Sequence, residues 1–326
     1  MKLGAVWFIG ILLILIAAIR PVGLDGDSIN YESITHLTWV DASFSDKEPF
    51  FWVINELNNL LLGGYISGLF FIFALLAVTI KMYAIKKLSI FPFFSIYIYI
   101  AVYFILHEMT QIRVGVASAI FLLAIPDLIN KNRIHYIFKC VIASLFHYLA
   151  IIMILFLFFN SKKINKKIYF FIPLLCIILS ILLPVNEIIK IANIILPNFI
   201  SEKISNYSIL LDGGNFSELN KFNFYYIFIL ILYLTVLQIK NYKSDYDIIL
   251  IKILCISISS FYLFSDFPVI AFRVSEFLGI VIIILLPNII LSIDNKNIYK
   301  FLLFVIFTIY LIAISIGRNL NMDKIL

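Results

Sequence analysis

Charge is what this chain has least of. Of 326 residues, 13% are Asp, Glu, Lys or Arg and 63% are hydrophobic, and the mean hydropathy is +1.06. Hydrophobic segments run almost end to end, which leaves no room for a separate soluble domain and makes lipid the main solvent. Cysteine is scarce as well. Cys140, Cys176 and Cys255 each lie in an apolar stretch without a partner at metal-ligand spacing, so they read as small packing residues and no metal is expected. There is no P-loop, no dinucleotide glycine pattern and no G-x-S-x-G, which argues against nucleotide chemistry and a serine hydrolase elbow. His107-Glu108 opens a zinc-protease pattern, but Gln111 stands where the second histidine is required. The net charge of +6 comes without a long basic run interleaved with aromatics, so nucleic acid is not a partner. No internal repeat marks an inverted-repeat transporter.

What remains is a series of apolar runs long enough to cross a bilayer, which takes about 20 residues as a helix. Stretches 3–19, 64–81, 90–106, 112–128, 168–184, 223–240, 248–264, 269–292 and 298–317 are read as spans. The first resembles a signal peptide, yet Arg20-Pro21 follows in place of a small-residue cleavage site, so it reads as a transmembrane helix. The predicted fold class is all-α: a polytopic integral membrane helical bundle of about 9–11 transmembrane helices. It is expected to form a single transmembrane domain, 1–326, with outer loops about 20–63 and 185–222. Residues 49–62 and 186–197 mix apolar and polar positions as interfacial helices do. Lys81, Lys86 and Lys87, then Lys131 and Arg133, then Lys162, Lys163, Lys166 and Lys167 mark cytoplasmic turns by their charge. If the last two turns share a side, 134–159 enters and returns, breaking near Phe146-His147-Tyr148 as a re-entrant hairpin. The alternative is one long tilted helix.

A few charges stand inside or beside the apolar runs, where a charge is costly and functional by default. Arg113 lies at the outer start of a span, close to His107 and Glu108, and its planar fork suits phosphate. His147 sits mid-stretch and can serve as a base or a phosphate donor if the chain breaks there. Arg273 and Glu276 are three apart on one helix, as an ion pair or a site. Arg318 follows the last span as an anchor or a ligand contact. Asp25, Asp27 and Tyr31 open the first outer loop and Glu48-Pro49 closes it, and one of these carboxylates is a candidate base.

The order of these features resembles the EpsG-like and Wzy-type polymerases of bacterial O-antigen and capsular polysaccharide. It runs from an acidic, Tyr-containing first outer loop to Glu48-Pro49-Phe50-Phe51 and an amphipathic helix. Gln111-Ile112-Arg113, Ala117, Ala119, Ala143-Ser144-Leu145-Phe146-His147 and a late Arg273 follow. Val114 and Leu149 depart from the expected Gln and Ser. The resemblance implies a membrane glycosyltransferase with no cofactor, which polymerises undecaprenyl-diphosphate-linked oligosaccharide repeats at the outer face of the bacterial inner membrane. The product would be O-antigen, capsule or exopolysaccharide. A flippase and a chain-length regulator would be partners, besides the lipid bilayer. Arg113 and Arg273 would then stabilise the leaving diphosphate, His147 would contact or orient phosphate, and Asp27 or Glu48 would take the acceptor's proton. Tyr31, Arg318, Glu276 and His107 would bind substrate. A flippase or transporter of the same lipid-linked sugars, another membrane glycosyltransferase, a membrane acyltransferase and a non-catalytic scaffold are the competing readings.

Overall fold

The computed structural model describes residues 2–38, 47–182 and 219–322. The expected interfacial helix 186–197 and most of the expected outer loop 185–222 lie outside them. Every element among the described residues is helical and none is a strand. In chain order these are α1 (Lys2–Ala18), α2 (Gly26–Ile34), α3 (Pro49–Leu62), α4 (Ile66–Leu88), and α5 (Pro92–Ile98), which runs on as a π-helix over Tyr99–Thr110. Then come α6 (Ile112–Ile129), α7 (Arg133–Phe146), a 3₁₀ helix (Tyr148–Phe158), α8 (Lys166–Leu182), α9 (Phe224–Gln238) and α10 (Asp247–Leu263). The chain closes with α11 (Pro268–Gly279), α12 (Ile282–Ile289), a short 3₁₀ turn, and α13 (Lys296–Met322).

The chain is an all-helical membrane protein. Among the described residues four helices are long and apolar enough to cross a bilayer, at Ile66–Leu88, Pro92–Thr110, Ile112–Ile129 and Lys296–Ala313; α11 and α12 with its 3₁₀ turn make a fifth if counted as one broken span. The all-α membrane class holds, with four or five such spans among the described residues against the nine to eleven expected of the whole chain. The apolar parts of stretches 3–19 and 223–240 fold as Gly4–Ala18 and Phe224–Gln238. At 1.5 Å per residue these reach about 22 Å, short of a hydrocarbon core of about 30 Å.

The described chain forms two compact units. One gathers residues 1–162, 241–250 and 280–326. In it α4 packs between α1 and α6. These helices bury small residues, Ala17 on α1, Ala74 and Ala77 on α4, Ala117 and Ala119 on α6, the residue type that lets helix backbones approach in lipid. The helix predicted to end at Lys81 continues to Leu88, so Lys81 is fully buried rather than part of a basic turn. The polar face of α3 also differs from expectation. Asn55 and Asn58 are buried and satisfy backbone carbonyls, while Leu57, Leu60, Leu61 and Leu62 face outward. A side-chain amide inside needs backbone partners, and leucine outside suits lipid.

The second unit comprises residues 163–240 and 251–279. Tyr226 organises it: its ring stacks on Phe261 with centroids 3.4 Å apart and its hydroxyl meets Ser275 Oγ at 2.5 Å. Tyr233 donates to the Tyr169 carbonyl at 2.7 Å, tying α9 to α8.

Stretch 134–159 doubles back. α7 ends at His147, which is extended (φ −155°, ψ 120°), and the 3₁₀ helix begins at Tyr148. Tyr136 Oη donates to the Met153 carbonyl at 2.8 Å across the break. Seventeen residues of continuous α-helix would separate these groups by about 25 Å, so the arms lie side by side. At about 21 and 22 Å, neither arm spans the hydrocarbon core. Lys139 fastens α7 to the end of α6 through Asp127 Oδ2 at 2.6 Å and the Leu123 carbonyl at 2.9 Å. Single cysteines replacing Lys131 and Lys162 should react with a membrane-impermeant maleimide from the same side of the membrane. Labelling from opposite sides would rule out the hairpin.

Candidate active site

The site is built where four chain segments of the first unit meet. Asp25 caps α2, its Oδ1 accepting from Ser28 N–H at 2.8 Å, and this sets the helix that carries Tyr31. Asn55 holds the other end of α2, donating to the carbonyls of Thr35 (3.2 Å) and Leu37 (2.9 Å). The Tyr31 ring stacks on Phe51, centroids 5.7 Å apart, and Phe51 stacks on Phe73 of α4. Glu48 stands just before Pro49, which starts α3. Arg113 is the second residue of α6, and His147 is the tip of the hairpin.

Glu48 joins them. Its Oε2 accepts from Arg113 Nη1, its Oε1 lies 2.6 Å from His147 Nδ1, and Arg113 Nε donates to Tyr31 Oη at 3.3 Å. The Tyr148 amide adds a long contact of 3.4 Å to Oε1. Burial raises the carboxylate pKa, but the His147 hydrogen bond and the Arg113 charge outweigh it, and Glu48 falls to about 2. Burial raises the Tyr31 phenol against the pull of Arg113, which keeps it a neutral hydroxyl. The side chain of Arg113 is 16% exposed against 3% for Glu48, so the guanidinium is the accessible group of the pair. A planar cation beside an imidazole and a phenol suits a phosphate or a developing anion.

A second polar cluster, called the lower cluster, pins the segment that bears Arg113. Lys81 Nζ donates to Glu108 Oε1 and, at 2.8 Å, to the Gly115 carbonyl. Tyr99 Oη donates to the same Glu108 oxygen at 2.8 Å. Arg20 Nη1 donates to the Glu108 carbonyl at 2.7 Å, and its guanidinium lies 3.6 Å from the Phe70 ring centroid. A side chain at Gly115 would bring its Cβ within 2.6 Å of Glu108 Oε2 and 2.7 Å of the His107 carbonyl, so only glycine allows this approach. The π-helical turn just before Arg113 is closed by Gln111 N–H to the Leu106 carbonyl at 2.8 Å, the irregular geometry often found beside functional groups.

The structure therefore brings Arg113, Glu48, His147 and Tyr31 together. Asp27 is in the first turn of α2, four residues before Tyr31, and half-buried. His107 is fully buried in the lower cluster, its Nδ1 3.2 Å from Ser118 Oγ and its ring against Tyr103. Arg273 and Glu276 lie three residues apart on α11 of the second unit, both half-buried. The backbone of Arg318 belongs to α13; its side chain is outside what is described. Sequence reasoning missed Lys81 and Arg20. Lys81 had a signal, a charge inside the apolar run 66–88. Among the described residues no group of three His, Cys, Asp or Glu is placed to hold a metal ion.

The profile of the EpsG family matches residues 5–325, nearly the whole chain. The chain belongs to the EpsG family. Membership places it among Wzy-like, polymerase-associated membrane proteins, and in this EpsG protein the matched region includes both polar clusters. Neither a curated protein nor a solved structure matches it.

The Lys81–Glu108 pair generates a stability prediction. Lys81→Met leaves Glu108 buried and unmatched and should cost about 3–5 kcal/mol, whereas Lys81→Met with Glu108→Gln should recover most of that loss. Unfolding midpoints of the detergent-solubilised variants measure both. An unchanged single variant would show that the pair is not buried together.

Proposed function

We propose that this EpsG protein polymerises undecaprenyl-diphosphate-linked oligosaccharide repeats, joining the growing glycan to the incoming lipid-linked unit at the outer face of the bacterial inner membrane. The observation that carries the reading is the guanidinium of Arg113, aimed by Glu48 at the tip of a re-entrant hairpin in a chain of this family. The acceptor hydroxyl forms a new bond to the anomeric carbon of the growing chain. The bond from that carbon to the diphosphate breaks through an oxocarbenium-like state, and undecaprenyl diphosphate leaves. Arg113 stabilises the negative charge gathering on the diphosphate, and His147 contacts phosphate or helps to orient it.

Glu48, ionised down to about pH 2, is a weak proton acceptor. In this reading it orients Arg113 and holds the His147 tautomer, as carboxylates do behind histidine elsewhere. Asp27, on the same face of α2 as Tyr31, takes the acceptor's proton. A flippase supplies the substrate from the cytoplasmic side and a chain-length regulator limits the product.

The test is a gel of surface polysaccharide from the native strain with the gene deleted, then restored as wild type or as Arg113→Ala. Deletion should collapse the ladder to a single repeat. Wild type alone should restore it, because loss of one anion-stabilising donor costs roughly 10²–10³ in rate. A normal ladder from Arg113→Ala, with the protein present in the membrane, would remove that residue from the mechanism. Loss of even the single repeat from the outer face on deletion would make a flippase the better reading. A pH expectation follows from Glu48. A carboxylate lowered from 4.5 to about 2 contributes its full stability above pH 4.5 and loses it as pH falls towards 2. Polymerisation in membrane vesicles should therefore show no Glu48 titration between about pH 5 and 8, and Glu48→Gln should lower the rate evenly across that window. A Gln variant that removes a pH-dependent limb within it would assign Glu48 to proton transfer.

A further inference from the structure

At the other end of the first unit from Arg113 there is a groove of about 440 Å³ that no step of the proposed reaction uses. Val6 lines it near the start of α1, while Arg20, past the far end of α1, touches the Glu108 carbonyl beside the site. From Val6 to the end of α1 at Ala18 is twelve residues of helix, about 18 Å, and Arg20 lies beyond it. The walls are apolar, with Phe91, Phe93 and Phe94 foremost, and among the described residues the charged side chains that line it are Lys86 and Lys300, with no acidic one. The wall is also held firmly. Asn288 bridges it, accepting from Ile90 N–H at 2.8 Å and donating to the Leu88 carbonyl at 3.0 Å. Ser89 accepts from Phe91 N–H at 3.1 Å and from Ser95 Oγ at 2.6 Å. Lys300 Nζ lies 4.8 Å from the Phe91 ring centroid, and Lys86 is exposed.

We infer that this groove binds one anionic phospholipid, with an acyl chain along the phenylalanine wall and the headgroup phosphate between Lys86 and Lys300. The volume falls in the range of pre-formed ligand sites. An apolar trough in a membrane protein meets lipid tails, and two lysines at its mouth select an anionic headgroup over a zwitterionic one. Lys86 and Lys87 also give this end of α4 the basic character of a cytoplasmic face, where juxtamembrane lysines meet anionic lipid. The inference is independent of the polymerase reading, since it shares no residue with the Arg113 cluster.

The experiment is native mass spectrometry of the full chain released from detergent. It is titrated with phosphatidylglycerol, with phosphatidylcholine of the same acyl chains, and with inorganic phosphate. One phosphatidylglycerol should bind more tightly than phosphatidylcholine and should not be displaced by equal inorganic phosphate. Lys86→Gln with Lys300→Gln should weaken it roughly thirtyfold, from the usual contribution of a lysine at an anionic surface. Phe93→Gln should weaken binding of the lipid while leaving protein recovery unchanged, because this residue is 44% exposed. Equal binding of both lipids, displacement by inorganic phosphate, or an unchanged affinity in the double lysine variant would each overturn the assignment. So would a lipid-independent dimer dispersed by Phe93→Gln, which would give the groove to a second copy of the chain.

Discussion

A carboxylate taken out of water must be met by donors, and the first unit is arranged around two that are. Glu108 collects Lys81 and Tyr99 on its side chain and Arg20 on its carbonyl. Glu48 collects Arg113 and His147. Between them these two residues tie together the end of α1, α4, the π-helical turn, the start of α6 and the hairpin tip. A buried pair of this kind adds little to stability compared with apolar packing of the same volume, but removing one partner is costly. Its effect is to permit one arrangement of those segments, and in that arrangement Arg113 is the exposed member.

The hairpin depends on the same logic. A chain that breaks its helix inside a membrane protein must satisfy the freed backbone groups within protein. The break at His147 does so: the His147 amide bonds back to Ala143, the His147 carbonyl accepts from Ala150, and the Tyr148 amide turns to Glu48. The polar tip therefore exists because Glu48 is there to receive it, and Glu48 is held in place by Pro49, which starts α3, and by the packing of Phe51 against Tyr31 and Phe73. Site and fold are one network, which explains how a chain so poor in charge can hold two arginines, a lysine, a histidine and two glutamates in one compact unit.

The lower cluster and the apolar groove divide that unit by polarity along its helices. Towards Arg20 and Arg113 the interior is polar and tightly bonded. Towards Val6 and Lys86 it opens into a phenylalanine trough rimmed by lysine. Such a division suits the proposed reaction, because a charged centre and the surrounding lipid require opposite solvents.

The membrane class and the helical content were legible from residue order, which also named Arg113, His147, Glu48 and Tyr31 as candidates but left 134–159 open between a hairpin and one tilted helix. Apolar runs and isolated charges are local signals, and the cost of burying a charge makes each one stand out. The sequence did not show that Lys81 is a core residue, because a lysine near two others reads the same whether it ends a helix or pairs with Glu108 27 positions away. Nor did it show which face of α3 is buried, since asparagine inside is favourable only when the carbonyls of Thr35, Leu37 and Tyr65 are near. By itself the sequence determined that this chain lives in lipid and marked most of the few charges that stand inside or beside its apolar runs. Only the tertiary structure decided which of them meet, because a buried charge is stable only beside its partner and that partner comes from another helix.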